Sequence, residues 1–123
     1  MMTLLSPYRA TLYACLRIVA GLLFSLHGIQ KLFGVFGRET PVTLLSQMGL
    51  AGAIEASAGL GIALGLFTSP LAFLASGQMA VAYFTAHAPQ GLWPIVNGGE
   101  LAALYCWLFL YIAASGSGKW SLR

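Results

Sequence analysis

Five titratable side chains carry most of the chemistry that this sequence offers, and they are His27, Lys31, Glu55, His87 and Glu100. Imidazole, carboxylate and ammonium groups can exchange protons with a bound molecule and donate hydrogen bonds to its oxygen atoms. They lie in a chain of 123 residues that is 59% hydrophobic and only 7% charged. Because soluble domains carry about 25% charged residues, we expect these groups to act inside an apolar protein.

The composition also excludes several classes of protein. A mean hydropathy of +0.82 argues against a soluble enzyme and against a disordered regulator. The net charge of +3 comes from basic residues scattered along the chain, so no patch for nucleic acid is expected. No Asp, Glu, Lys or Arg lies between Glu55 and Glu100 or from Leu101 to Gly118. Charge-free apolar runs of about 18 or more residues are typical of membrane-spanning helices.

Four apolar segments predict four spans, over residues 11–33, 50–67, 70–87 and 99–115. The fold class expected is therefore all-α, an integral membrane four-helix bundle forming one domain over residues 1–123. Ser69-Pro70 predicts an N-cap and a first-turn proline for the third span. Asn97-Gly-Gly-Glu100 has the spacing of a capping box and predicts the start of the fourth.

Between the first two spans, Thr40-Pro41 predicts a short interfacial helix from Val42 to Met48 that Gly49 ends. The lipid bilayer is thus the first expected partner. Counting Lys and Arg in the short loops favours N- and C-termini on the cytoplasmic side of the membrane. Trp93, beside Pro94, suits an aromatic anchor at the outer surface. The first span lacks the small-residue cleavage site of a signal peptide, so we expect it to be retained.

Alternating spans would bring the five titratable groups to one level. His27 and Lys31 end the first helix, Glu55 lies in the first turns of the second, His87 ends the third and Glu100 opens the fourth. If these side chains face inward, they line a single polar chamber at the outer end of the bundle. An ionisable group at membrane depth is a functional-site hypothesis by default.

Each of these residues also has a simpler structural interpretation. Glu100 can serve the capping box, and His27 and His87 at helix C-termini are favoured by the helix dipole. Lys31 can extend its ammonium group to the interface. Glu55 is harder to explain in this way, because a carboxylate at that depth needs a partner or a proton.

Helical spacing places further residues on shared faces. Arg17, Phe24 and Lys31 recur every seven residues in the first span, and Arg17 is expected to pair with helix carbonyls or with Gln78. The pattern predicts two more features: a ridge for close helix contact in the second span and a stripe on the fourth that is more often core than a cofactor site. The ridge consists of Ser57, Gly61 and Gly65, and the stripe of Glu100, Leu104, Trp107 and Tyr111. Cys15 and Cys106 are expected to be packing residues.

These motifs together resemble the DoxX family of small four-helix bacterial membrane proteins. The similarity runs from about Arg9 to the C-terminus. The most specific segments are His27-Gly-x-x-Lys31-Leu-Phe-Gly and Asn97-Gly-Gly-Glu100. The resemblance implies a redox-associated membrane protein, because the family is named after a subunit of a thiosulfate:quinone oxidoreductase.

A quinone is accordingly the first cofactor hypothesis. A quinone head needs hydrogen-bond donors at its oxygens and groups that follow its electrons with protons, and the five titratable residues supply both. Tyr83, Trp93, Asn97 and Trp107 are the expected flanking residues of such a head. The chain has no flavin, nicotinamide or iron–sulfur motif, so electrons would come from a redox partner protein.

Other hypotheses stay open at this point. His27 and His87 are candidate haem ligands, and with Glu55 and Glu100 they are candidate metal ligands. Alternatively, the protein is a non-catalytic assembly or anchoring component whose polar groups only lock the bundle. The small-residue ridge fits an internal contact or a homo-oligomer equally well.

Overall fold

A computed structural model describes residues 3–34 and 46–122, and the regular structure of these residues is entirely helical. A 3₁₀ turn at Ser6–Tyr8 leads into the first helix. A π turn at Tyr83–His87 and a 3₁₀ turn at Ala88–Gln90 follow the third. The five α-helices, numbered in chain order, are α1 (Arg9–Phe33), α2 (Gln47–Leu64), α3 (Thr68–Ala82), α4 (Pro94–Asn97) and α5 (Glu100–Ser115).

Helix length and hydropathy mark one described segment as long and apolar enough to cross a bilayer. This segment is Ser6–Phe33, near the N-terminus. Met48–Leu64 and Glu100–Ser115 are apolar as well but shorter. Because a perpendicular span needs about 20 residues, length and composition identify Ser6–Phe33 as a candidate span.

Two helix ends differ from their predicted positions. α2 stops at Leu64 because Gly65 takes a left-handed conformation, with φ at 73°, which is the usual way for glycine to end a helix. α3 then begins at Thr68, and Phe67 rather than Ser69 occupies its N-cap position. The predicted Ser69 cap is therefore wrong, since Ser69 already lies within the first turn.

The predicted interfacial helix from Val42 to Met48 lies mostly outside the described residues. What is described begins at Ser46, whose hydroxyl accepts a hydrogen bond from the Gly49 amide at 3.0 Å. Ser46 is thus the N-cap of α2. The prediction that Gly49 ends a helix is wrong, because Gly49 lies in the first turn of α2.

The four long helices pack side by side in a ring. α1 packs on α2, α2 on α3, and α3 on α5. Phe24 of α1 closes the ring, since its centroid lies 4.8 Å from that of Phe109 and 5.5 Å from that of Tyr105, both on α5. Edge-on and tilted aromatic pairs at such distances add to the burial energy. The centre of the bundle is thus an aromatic cluster.

Glycines set the closest helix contact, which is between α1 and α2. A Cβ added at Gly21 would lie 2.6 Å from the Ala63 nitrogen and from the Gly59 oxygen. Gly28 of the same helix is equally confined by the α2 backbone. The predicted ridge of Ser57, Gly61 and Gly65 does not make this contact, but Gly61 does allow close packing against Leu71 of α3. Ser57 is exposed and bonds within its own helix, so the close contact uses the neighbouring face.

The predicted core stripe on α5 is also wrong. Leu104, Trp107 and Tyr111 are 63%, 71% and 62% exposed, and Glu100 beside them is exposed as well. The inward face of α5 carries Tyr105, Phe109 and Ile112 instead. Because this helix is apolar all round, hydrophobicity alone does not distinguish its two faces. Of the free cysteines, Cys106 packs against the core and Cys15 is exposed.

Candidate functional site

An ion pair between a partly buried lysine and a buried carboxylate joins the C-terminal part of α1 to α2. The Lys31 Nζ lies 2.6 Å from the Glu55 Oε2, and the two side chains are 22% and 3% exposed. It is the sole ion pair among residues 3–34 and 46–122. A charge-assisted bond of this length is strong. The sequence prediction that Glu55 needs a partner is met by Lys31, which therefore does not simply extend away to an interface.

A third side chain completes what we name the Glu55 cluster, comprising Lys31, Glu55 and Gln78. The Gln78 Nε2 donates to the Glu55 Oε2 at 3.0 Å. A carboxylate only accepts hydrogen bonds, so this contact also fixes which end of the amide faces Glu55. One carboxylate oxygen thereby links α1, α2 and α3. The sequence had suggested Gln78 as a partner of Arg17, and the structure assigns it to Glu55.

Local packing explains why Lys31 reaches Glu55. Gly28 lets α1 approach the α2 backbone closely, and a Cβ at Gly52 would lie 3.1 Å from the Lys31 Cβ. The missing side chain at Gly52 therefore leaves space for the start of the lysine side chain. From there the ammonium extends along α2 to Glu55. Gly52 and Glu55 are three residues apart and lie on the same side of α2. The glycine makes room for the lysine side chain, and the carboxylate binds its ammonium group.

An open apolar groove lies beside the cluster, between α2 and α3. Its volume is about 540 Å³. Gln78 lines it together with apolar side chains, among them Ile54, Phe73, Leu74 and Val81. Gln78 thus contacts the ion pair through its amide and also forms part of the wall of an apolar surface cavity. Small-molecule sites commonly combine an apolar lining with a few polar groups in this way.

A separate polar network surrounds the buried Asn97. Its Nδ2 donates to the Tyr83 hydroxyl at 3.2 Å and to the Gly91 carbonyl at 3.0 Å, and its Oδ1 accepts from the Gly99 amide at 2.8 Å. The His87 Nδ1 lies 3.3 Å from the Asn97 carbonyl oxygen. These bonds tie the π turn to the loop before α5. Every polar atom of the Asn97 side chain is engaged within the protein.

The Asn97 network corrects the predicted capping box. α5 begins at Glu100 with Gly99 at its N-cap and no side-chain cap bond. Asn97 instead satisfies the Gly99 amide in a local turn, which is a common alternative for Asn. Glu100 remains in the first turn of α5, where an acidic side chain interacts favourably with the helix dipole.

The remaining predicted site residues lie in two other places. Trp93, Glu100 and Trp107 line an outward-facing groove of about 470 Å³, with both indoles mostly exposed. His27 is exposed on α1, and its described contact is with the Tyr105 ring, at 6.3 Å between centroids. The nine predicted residues are thus distributed over four places, and among the described residues they do not line the single chamber expected from the sequence.

The candidate haem and metal ligands are distributed in the same way. No described contact joins His27 to His87. Over residues 3–34 and 46–122, no group of three or more His, Cys, Asp or Glu side chains is close enough to hold a metal ion. Of these candidates, Glu55 alone belongs to the ion pair.

A second buried charge lies toward the opposite end of the bundle. Arg17 has no exposed surface, and its guanidinium donates to five backbone carbonyls, matching its five N–H groups. Two acceptors are in the last turn of α2, and three are in the C-terminal tail, which we define as residues 116–122. The acceptors are Ile62, Ala63, Ser117, Lys119 and Trp120. The expected pairing of Arg17 with helix carbonyls is confirmed.

Over the part of the chain that the structure describes, these features define a class: a helical protein with one span-length apolar helix, two buried charges and a polar cluster beside an apolar groove. The chain belongs to the DoxX family, whose profile matches residues 12–88. The resemblance found in the sequence is thereby confirmed. The matched range contains Arg17 and the whole Glu55 cluster, and it ends before Asn97 and Glu100.

A relative from Haemophilus influenzae supports the same assignment. It is described as an uncharacterized protein and is 42% identical over 129 aligned residues, covering 96% of this chain and 92% of the relative. The similarity therefore spans both proteins almost completely. No solved structure matches the chain.

Proposed function

We propose that this protein is an integral membrane component with four spanning helices, and that its Glu55 cluster binds the head of a quinone-type lipid. The observation that carries the proposal is the position of Gln78. Its amide donates to Glu55 of the Lys31–Glu55 pair, and the same residue lines the apolar groove between α2 and α3. A lipid with a polar ring and an apolar chain fits this arrangement, because its ring can bind the polar cluster while its chain lies in the apolar groove.

The distribution of exposed and buried side chains supports the membrane part of the proposal. Leu22, Phe73 and Trp107 are 47%, 65% and 71% exposed, whereas Arg17 and Glu55 are 0% and 2% exposed. In water this arrangement would be unfavourable, since exposed apolar area costs roughly 25 cal/mol per Å². In lipid it is favourable, because charges avoid hydrocarbon and apolar side chains do not. We further propose that the protein lies in the bacterial inner membrane with both termini in the cytoplasm.

The chemistry of the cluster fits a quinone ring. A ring oxygen accepts hydrogen bonds, and the Lys31 ammonium and the Gln78 amide are donors close to the groove. Reduction of a quinone consumes two electrons and two protons, and Lys31 and Glu55 are groups that can pass a proton to a ring oxygen. Electrons would come from a redox partner protein. The role proposed for this chain is to bind the quinone ring, orient it and supply protons to its oxygen atoms.

A second candidate function is structural, and one observation favours it. The single oxygen Oε2 of Glu55 receives hydrogen bonds from α1 and from α3 while belonging to α2. A bond of this kind between membrane helices is worth about 0.6–2 kcal/mol. The cluster would then fix the helix register in a non-catalytic assembly or anchoring component.

Purification with native lipid in nanodiscs tests both candidates. Lipid extracted from the purified protein is analysed by ultraviolet absorption and mass spectrometry for a redox-active ring. Glu55→Gln is compared with Glu100→Gln, the same substitution at an exposed carboxylate outside the cluster. We expect co-purifying quinone in the parent protein and in Glu100→Gln, at least a tenfold loss in Glu55→Gln, and a normal folded yield in all three.

Two outcomes would contradict the quinone proposal. One is lipid without any redox-active ring from the parent protein. The other is equal quinone content in the two variants. If Glu55→Gln also lowers the folded yield several-fold while the parent carries no quinone, the structural role is supported instead.

A further inference from the structure

The Gln78 amide has one end engaged and one end without a partner. Its Nε2 is held by Glu55, so Oε1 points away from the carboxylate. Oε1 is shielded from solvent, and no group within residues 3–34 and 46–122 donates a hydrogen bond to it. Buried side-chain acceptors are nearly always paired, so each exception requires an explanation. What this atom lacks is a donor.

The groove beside Gln78 is kept open by an unusual residue. Gly77 lies in the interior of α3 and lines the groove, and a Cβ added there would meet no atom within 4 Å. Glycine in a helix interior costs about 0.5–1 kcal/mol relative to alanine. Unlike Gly21 and Gly28, Gly77 makes no close helix contact that would justify this cost. Its effect is open space beside an unpaired acceptor.

We infer that the groove between α2 and α3 binds the reduced, hydroxyl-bearing form of its ring lipid, the quinol, in preference to the quinone. This inference rests on the proposed function and specifies its ligand. Gln78 Oε1 has almost no accessible surface, so a quinol O–H in the groove donates to it once the terminal amide torsion, which has a broad minimum, turns the oxygen toward the groove. A quinone oxygen only accepts, so it leaves Oε1 unpaired. The occupant is therefore a ring lipid with a free hydroxyl group.

The preference has a thermodynamic consequence for the bound couple. A single hydrogen bond to a buried acceptor corresponds to about tenfold in affinity. If quinol binds tenfold more tightly than quinone, the midpoint potential of the bound couple rises by about 30 mV, since the couple transfers two electrons. The site would then favour formation of quinol from quinone, two protons and the two electrons that a redox partner protein supplies.

Anaerobic titration of nanodisc-embedded full-length protein measures this preference. The probes are decylubiquinol and decylubiquinone, and each dissociation constant is determined by equilibrium dialysis. We expect the parent protein to bind the quinol about tenfold more tightly. Gln78→Met, which keeps the side-chain length but removes the amide, is expected to bring the ratio close to one.

A second pair of variants tests the location. Gly77→Leu fills the groove and is expected to weaken both probes at least tenfold. Ala114→Leu adds similar bulk at an exposed position of α5 and is expected to leave both constants unchanged. Thermal unfolding of each variant reports whether the fold is intact.

Three results would overturn the inference alone, and a fourth would overturn the proposed function as well. Tighter binding of the quinone, an unchanged ratio in Gln78→Met, or unchanged binding in Gly77→Leu contradicts the assigned groove or ligand form while leaving the proposed function standing. Binding of neither probe by the parent protein overturns the proposed function together with this inference.

Discussion

Two buried charges, Arg17 and Glu55, lie within residues 3–34 and 46–122, and their hydrogen bonding is satisfied to different degrees. Arg17 has five donors and five backbone acceptors. The Glu55 cluster lies toward the opposite end of the bundle, includes a partly exposed Lys31, and leaves the Gln78 Oε1 without a donor. Both charges are on neighbouring helices and are equally inaccessible to solvent. Burial alone therefore does not identify a functional group.

The completeness of the hydrogen bonding distinguishes the two regions. A buried charge with all of its bonds made within the chain has no capacity left for a ligand, and its effect is to hold the structure. A cluster with an unpaired atom beside an open groove can still bind one. We accordingly interpret Arg17 as structural and the Glu55 cluster as the binding site.

The largest expected effect is at Arg17. Arg17→Met removes five hydrogen bonds and leaves buried carbonyl groups without donors, so we expect a loss of about 3–5 kcal/mol in unfolding free energy. Arg17→Lys keeps the charge but not the planar arrangement of five donors. We expect it to retain only part of the stability that Arg17→Met loses. Thermal unfolding followed by size-exclusion chromatography measures both. If Arg17→Met has the same folded yield and melting temperature as the parent protein, Arg17 does not have the structural role that we assign to it.

A smaller effect is expected when the tail is removed. Deletion of residues 117–123 takes away three of the five Arg17 acceptors, and we expect it to cost about 2–3 kcal/mol. In the Arg17→Met background the same deletion should cost much less, because the acceptors no longer have a donor. A double-mutant cycle on unfolding free energies measures this coupling. Additive effects would show that the tail acts through other contacts, such as the Leu122 amide on the Leu64 carbonyl.

The smallest effects are expected at two glycines in different environments, one packed against a neighbouring helix and one beside the open groove. Gly28→Ala places a methyl group against the α2 backbone, and we expect it to destabilise by about 1–3 kcal/mol. Gly77→Ala meets nothing within 4 Å and should stabilise by about 0.5–1 kcal/mol. Melting temperatures of the two variants, measured in the same nanodiscs, should shift in opposite directions. A loss of stability in Gly77→Ala would mean that the groove is packed more tightly than its open space indicates.

Sequence reasoning found the helices and some of the pairing but not the arrangement of the site. The seven-residue spacing of Arg17, Phe24 and Lys31 correctly placed all three on the inner side of α1, because one polar and glycine-rich face contrasts with a leucine-rich one. The same reasoning failed for Glu100 and Trp107. α5 is apolar around its whole circumference, so its rotation about its own axis leaves no clear pattern in the sequence.

Gln78 shows what the sequence contained and what was missed. It is a polar amide in a long run without charges, and a polar group at such a position needs a partner. From the sequence, Gln78 was one of two expected kinds of partner for Arg17, whereas in the structure it donates to Glu55. The choice depends on how far α3 is displaced along α2, which no local pattern encodes.

By itself, the sequence determined that the chain is helical, apolar and poor in charge, that Glu55 needs a partner, and that the motifs are those of the DoxX family. These properties depend on residue type and on spacing within one helix. The tertiary structure alone decided that Lys31 and Gln78 are the partners of Glu55, that the C-terminal tail surrounds Arg17, and that His27 and Glu100 face outward. Such contacts depend on the rotation and displacement of whole helices, which are set by close packing at glycines and by where buried polar groups find partners.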